Sequence, residues 1–146
     1  MRALAELVRM SEAAALALHA MVLLAEAEGP LSVAEIARRL RASGAHVAKV
    51  MGILARANLV EAKRGPAGGY FLARPAEEIR LLEIYEVFEG ELRRDRCVFA
   101  SPVCISEKCV FGGLLEEVRK AVHAYLANTT LADVAGKGDG CPGGSP

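Results

Sequence analysis

Three of the four cysteines in this 146-residue chain fall in one stretch, "CVFASPVCISEKC", from Cys97 to Cys109. Cys104 lies between them. Thiols this close can form a disulfide, ligate a metal, act as a redox switch, or be ordinary loop residues. A closed structural zinc site takes four Cys or His ligands, and an iron–sulfur cluster also takes four, mostly Cys. This loop offers three, so a metal bound here must borrow its last ligand from elsewhere. Cys141 is a poor donor, because it sits in the Gly/Pro-rich "GKGDGCPGGSP", where the cost of ordering the chain opposes recruitment. The loop contains no C-x-x-C pair, no Gly-rich cofactor loop adjoins it, and no His or acid constellation surrounds it. A thiol oxidoreductase is therefore disfavoured, and the chain is read as not an enzyme.

The rest of the chain bounds the choice. Hydrophobic residues make up 53% and aromatics only 5%, without Trp; the core must be built from Ala, Leu, Val and Ile, which favours helices. The longest apolar run, Ala13 to Ala25, is too short for a membrane span and is interrupted by His19. No membrane partner is expected, and a cytoplasmic location follows as an expectation. Thiols there stay reduced, so clustered cysteines are more often metal-binding or reactive than disulfide-bonded.

The net charge of zero conceals an asymmetry. Residues 1–75 carry 10 Lys/Arg against 6 Asp/Glu, and residues 76–146 carry 8 against 12. Between Arg38 and Arg64 seven basic residues face one acid, Glu61. Such a segment suits a polyanion, whereas the acidic second half repels one.

These groups need elements to position them. A first helix is expected from about Ser11 to Glu28, ended by Gly29 and Pro30. "SVAEIARRL" has Ser32 and Glu35 in capping-box spacing and starts a second. Ser43 opens a third, in which Val47, Val50, Met51 and Leu54 form one buried stripe and Ala45, His46, Lys49 and Gly52 face outward. Two short helices with a tight turn are a helix-turn-helix pattern. "NLVEAKRGPAGGYFLAR" then reads as a strand, a Gly/Pro turn and a strand, a wing with Lys63, Arg64 and Gly65 at its tip. Tyr70, Phe71 and Leu72 are read as packing residues.

Pro75 to Gly90 reads as one acidic amphipathic helix. After the cysteine loop a long helix carries an apolar stripe of Leu114, Val118, Ala121, Val122 and Tyr125, flanked by Leu115 and Leu126. A second copy of itself would cover that stripe. "TTLADV" is a short capped helix, and the tail is expected to be disordered. His19 is read as a core or interface residue.

"SVAEIARRL", the Ser43/His46/Lys49 set, "LVEAKRGPAGGYFLAR", "EIRLLEIYEVFEG", the three loop cysteines and "YLANTTLADV" together resemble the Rrf-two family of winged-helix transcription regulators, over about residues 10–135. That family includes IscR-like and NsrR-like iron–sulfur sensors. The resemblance implies a homodimer packed through long C-terminal helices, with a cluster between the cysteine loop and the partner's DNA-binding domain. It places Ser43, His46 and Lys49 on the recognition helix and Arg64 on the wing arginine of the minor groove. It places Cys97, Cys104 and Cys109 on the cluster thiolates. IscR-like members use a histidine after the third cysteine, where this chain has Gly112; NsrR-like members use a carboxylate near the start of the first helix of the other subunit, where this chain has Glu12.

The resulting expectation is a mainly α fold with a small β-hairpin wing. Residues 1–75 form a winged helix-turn-helix DNA-binding domain, residues 76–135 the cysteine-loop sensor and dimerisation region, and residues 136–146 a disordered tail. The function expected is a regulator, read as a repressor, of a double-stranded DNA operator. Its affinity is set by an iron–sulfur cluster, 4Fe–4S in preference to 2Fe–2S, that senses nitric oxide, oxygen or redox stress, or iron–sulfur status. The alternative is a cluster-free thiol switch or a metabolite-responsive winged-helix regulator.

Overall fold

The computed structural model describes residues 9–92 and 107–136. Cys97, Cys104, Cys141, the basic Arg93, Arg94 and Arg96, and the tail beyond Gly136 lie outside the described residues.

The chain order is α1 (Glu12–Glu26), α2 (Val33–Leu40), α3 (Gly44–Arg56), β1 (Val60–Lys63), β2 (Gly69–Leu72), a 3-10 turn (Ala76–Glu78), α4 (Leu81–Glu89), α5 (Leu114–Asn128) and α6 (Leu131–Val134). Helix α1 is the central post. Its Ala14, Ala17, Ala20, Met21 and Leu24 are buried, and the three alanines let neighbouring helices approach closely. Around it the core gathers Ile36, Val47, Val50, Met51, Leu54, Ile79, Ile84, Tyr85 and Leu131. The stripe expected on the third helix is the buried face of α3, each member at most 1% exposed.

Hydroxyl caps set the helix starts. Ser11 Oγ accepts from Ala14 N, Ser32 Oγ from Glu35 N and Ser43 Oγ from His46 N, each at 3.1 Å. The box at Ser32 is only half made, because the Glu35 carboxylate turns to Arg39 at 2.7 Å instead of back to the cap. Helix α2 ends at Arg41, which adopts the left-handed conformation (φ 52°), so three residues suffice to turn into α3.

β1 and β2 pair antiparallel, Val60 opposite Leu72 and Lys63 opposite Gly69. The hairpin does not stand alone. Leu31, just before α2, exchanges two backbone hydrogen bonds with Tyr70, at 2.9 and 2.8 Å, and so ties the wing to the helix-turn-helix.

The expected single helix from Pro75 to Gly90 is not observed. A 3-10 turn is followed by extended Ile79 (φ −102°, ψ 114°) before α4 begins. Tertiary pairing overrides the helical pattern: Leu131 N donates to Ile79 O at 2.9 Å and Leu81 N to Thr129 O at 3.0 Å, with Arg80 bridged to Thr130. The short helix α6 is capped as expected. Thr130 N donates to Asp133 Oδ2 (2.8 Å), and Asp133 N to Thr130 Oγ1 (3.2 Å).

α5 starts at Leu114, after turns through Cys109–Gly113, and its apolar surface is split. Leu115 and Leu126 are buried and Val122 packs on the core. Leu114 and Tyr125 remain 52% and 58% exposed, and Ala121 is exposed on the same side. Among the described residues, the helix therefore packs on the core along one edge. His19 is exposed, its Nδ1 2.6 Å from Ala15 O, which removes the core reading for it.

Candidate nucleic-acid interface

Helix α3 presents Ala45, Ala48, Lys49 and Arg56 to solvent, with His46 and Gly52 half-buried beside them. Small side chains there let a helix sink into a major groove, where longer polar ones reach base edges and phosphates. Ser43 is exposed at the head of this helix; its oxygen is committed to the cap, which leaves the O–H as a donor. Sequence reasoning passed over Ala48 and Arg56 as members of this face. The signal was available: Arg56 follows Gly52 by one turn, and a Cβ at Gly52 would meet only the Arg56 guanidinium, at 3.9 Å.

At the wing, Lys63, Arg64 and Gly65 are exposed. Gly68 N donates to Gly65 O at 2.9 Å and closes the tip. Three glycines make that turn possible. Gly65 and Gly69 have φ of 107° and 149°, and a Cβ at Gly68 would lie 2.1 Å from Lys63 O. Helix α3 and the wing are thus held as one unit: α3 packs on α2, and Leu31, leading into α2, pairs with Tyr70 of the wing.

The cysteine site is visible only in part. Cys109 is exposed, in the turn before α5, and its neighbours Val110 and Phe111 are 94% and 44% exposed. Glu12, the first residue of α1, has a side chain 90% exposed, and its carboxylate lies 4.0 Å from His46 Nδ1. Nothing in the sequence signalled that meeting of a candidate ligand with a candidate DNA-reading residue; only the packing of α1 on α3 produces it. Among the described residues no group of three or more His, Cys, Asp or Glu comes together as a metal site. Among them, too, no helix is long and apolar enough to cross a membrane.

Residues 10–137 match the Rrf2 family, described as iron-dependent transcriptional regulators. The chain is 36% identical to the HTH-type transcriptional regulator IscR of Cereibacter sphaeroides over 107 residues, covering 71% of this chain and 69% of that protein. Two solved structures share its fold. CymR, the global cysteine regulator of B. subtilis, superposes with a TM-score of 0.69 at 32% identity, over 86% of this chain and 95% of that one. T. potens IscR superposes with a TM-score of 0.67 at 31% identity, over 86% and 84%. These relatives are transcriptional regulators and not enzymes. The mainly helical body, the anchored two-strand wing and the family match agree: this chain belongs to the Rrf2 family of DNA-binding winged-helix transcriptional regulators.

Proposed function

We propose that the protein is a dimeric, iron–sulfur-dependent repressor in which residues 1–75 read an operator and residues 76–135 sense and dimerise. Ser43, His46 and Lys49 enter the major groove; Lys63, Arg64 and Gly65 reach the flanking minor groove. Cys97, Cys104 and Cys109 hold the cluster, 4Fe–4S in preference to 2Fe–2S, and Glu12 of the other subunit completes it.

The observation that carries this reading is the state of the two candidate ligands the structure describes. The Cys109 thiol and the Glu12 carboxylate are both open to solvent. Such donors fit a site shared between copies. The chemistry of the set also fits: thiolates suit an iron–sulfur cluster, and a carboxylate can ligate iron, though less firmly. The exposed side of α5, Leu114 and Tyr125 above all, supplies the surface on which a second copy would pack. When bound, the cluster supplies a redox-active iron centre open to attack by oxygen or nitric oxide at its weakest ligand.

Likeness to a global cysteine regulator, with an exposed Cys109, favours one second reading, a cluster-free thiol switch. Anaerobic purification separates the two. The cluster reading expects brown protein with stoichiometric iron and sulfide, its colour lost in Cys104→Ala. Colourless protein lacking both would leave the thiol switch.

A further inference from the structure

Gly52 stands in the middle of α3, where the fold gives no reason for it. Glycine is the poorest helix former after proline, and one kept inside a helix has a conformational, packing or functional cause. The conformational cause is absent, since Gly52 is not among the residues of positive φ. The packing cause is absent too. At Gly68 and Gly69 an added Cβ would lie 2.1 Å from Lys63 O and 2.4 Å from Leu31 O. At Gly52 its one neighbour within 4 Å, among the described residues, would be the Arg56 guanidinium at an ordinary 3.9 Å. Arg56 follows Gly52 by one turn, on the outward face that also carries Ala45, Ala48 and Lys49. It is exposed and, among the described residues, makes no ion pair, whereas Arg39 is held by Glu35 and Arg74 by Glu83.

We propose that Gly52 and Arg56 form a seat for one DNA phosphate in each subunit. The strand passes close to α3 at Gly52, where no Cβ stands in its way, and the Arg56 guanidinium donates to the phosphate oxygens. A phosphate is favoured over a base by the position of Arg56 at the end of the helix. It lies seven residues past Lys49, about 10 Å along the axis, and the N-terminal part of a reading helix is what meets base edges. The seat fixes how deeply α3 sits in the groove and carries no sequence preference. This rests on the reading above of α3 as the reading helix, and it gives a cause to a glycine that the fold leaves unexplained. A glycine without such a role makes a different prediction: its replacement would raise stability and leave DNA binding as it was.

The test uses the full chain, purified without oxygen, and a labelled duplex enriched from a random pool by the wild type. Melting is followed by circular dichroism and binding by fluorescence anisotropy over a range of salt. Gly52→Ala and Gly52→Gln are expected to raise Tm, by about 3 °C for the alanine, and yet to bind about tenfold more weakly, because the added atoms push the strand away. Arg56→Ala is expected to keep the wild-type Tm, to lose about tenfold in affinity for the selected and for a scrambled duplex alike, and to lower the salt slope by about 1 per subunit. Gly52 variants that melt higher and bind as wild type does would overturn the proposal, as would a lowered Tm, which would give the glycine a packing role. An unchanged salt slope in Arg56→Ala would overturn it as well. Lys49→Ala tests the underlying reading separately. Weaker binding there, beside wild-type binding by the Gly52 and Arg56 variants, would sink the phosphate seat alone; wild-type binding by all of them would remove α3 as the reading helix.

Discussion

Replacing Gly69 by Ala should unhook the wing from the helix-turn-helix. Gly69 has φ of 149°, a conformation that L side chains rarely adopt, and an added Cβ would lie 2.4 Å from Leu31 O, 2.5 Å from Leu31 C and 2.8 Å from Ser32 N. All three are backbone atoms, so no side chain can swing aside. The strand must retreat, and the two hydrogen bonds between Leu31 and Tyr70 go with it. Two lost backbone bonds cost about 1 kcal/mol each, and the strained conformation adds about 1 kcal/mol more. A loss of about 3 kcal/mol lowers Tm by roughly 10 °C in a domain of this size. The control is Gly29→Ala, where nothing lies within 4 Å of the new Cβ; it should stay within about 0.5 kcal/mol of wild type. Thermal unfolding followed by circular dichroism gives the first number, and hydrogen exchange at the Leu31 and Tyr70 amides locates the damage. DNA affinity should fall as well, because Lys63 and Arg64 no longer hold a fixed position relative to α3. A Gly69→Ala protein with wild-type Tm and wild-type protection at both amides would refute the anchoring.

Other expectations concern the wing, the dimer and pH. Arg64→Ala should weaken operator binding and reduce the salt slope by about 1 per wing; an unchanged titration would exclude the wing contact. Leu114→Lys with Tyr125→Lys should give monomers in sedimentation velocity while the helical signal is kept, since both side chains lie on the exposed side of α5; a persisting dimer would place the interface elsewhere. The Asp133 carboxyl is held below the usual aspartate value of 3.8, first by the Thr130 backbone N–H and then by the Thr130 hydroxyl, with Arg80 adding to it. A lowered carboxyl contributes stability that is complete above the usual value and is lost as pH falls through the lowered one. Acid melts of wild type should therefore lose more stability than those of Asp133→Asn in that window; parallel curves would show that the cap carries no pH dependence. Burial, followed by the charge of Glu89, raises the Tyr85 hydroxyl above 10.0, against a smaller opposing effect of Arg9. Its contribution should be complete below that value and fade at higher pH, which Tyr85→Phe would abolish.

Much of this fold is legible in the sequence because its signals are local. Serine caps, the glycine of a tight turn and an i, i+3, i+4, i+7 stripe act within a few residues, so Ser11, Ser32, Ser43, Gly65 and the α3 stripe announce their roles without reference to the rest of the chain. The break at Ile79 could not be foreseen in that way. Pro75 to Gly90 has good helical periodicity, and what interrupts it is pairing with Thr129–Leu131, far along the chain. The exposure of His19 follows the same logic: an apolar neighbourhood in sequence does not say which side of a helix meets another helix.

The sequence by itself determined the class of the protein, a winged helix with a basic reading head and a thiol-bearing second half. Residue types and short-range spacings specify those features, and the family match agrees with the winged helix. Tertiary structure alone decided how the parts are coupled. Leu31 clamps the wing, Thr130 breaks a helix, Leu114 and Tyr125 of α5 stay exposed, and Glu12 meets His46 of α3. Each of these depends on which surfaces the packing of α1 brings together, and contacts between distant segments leave no periodic trace in the chain.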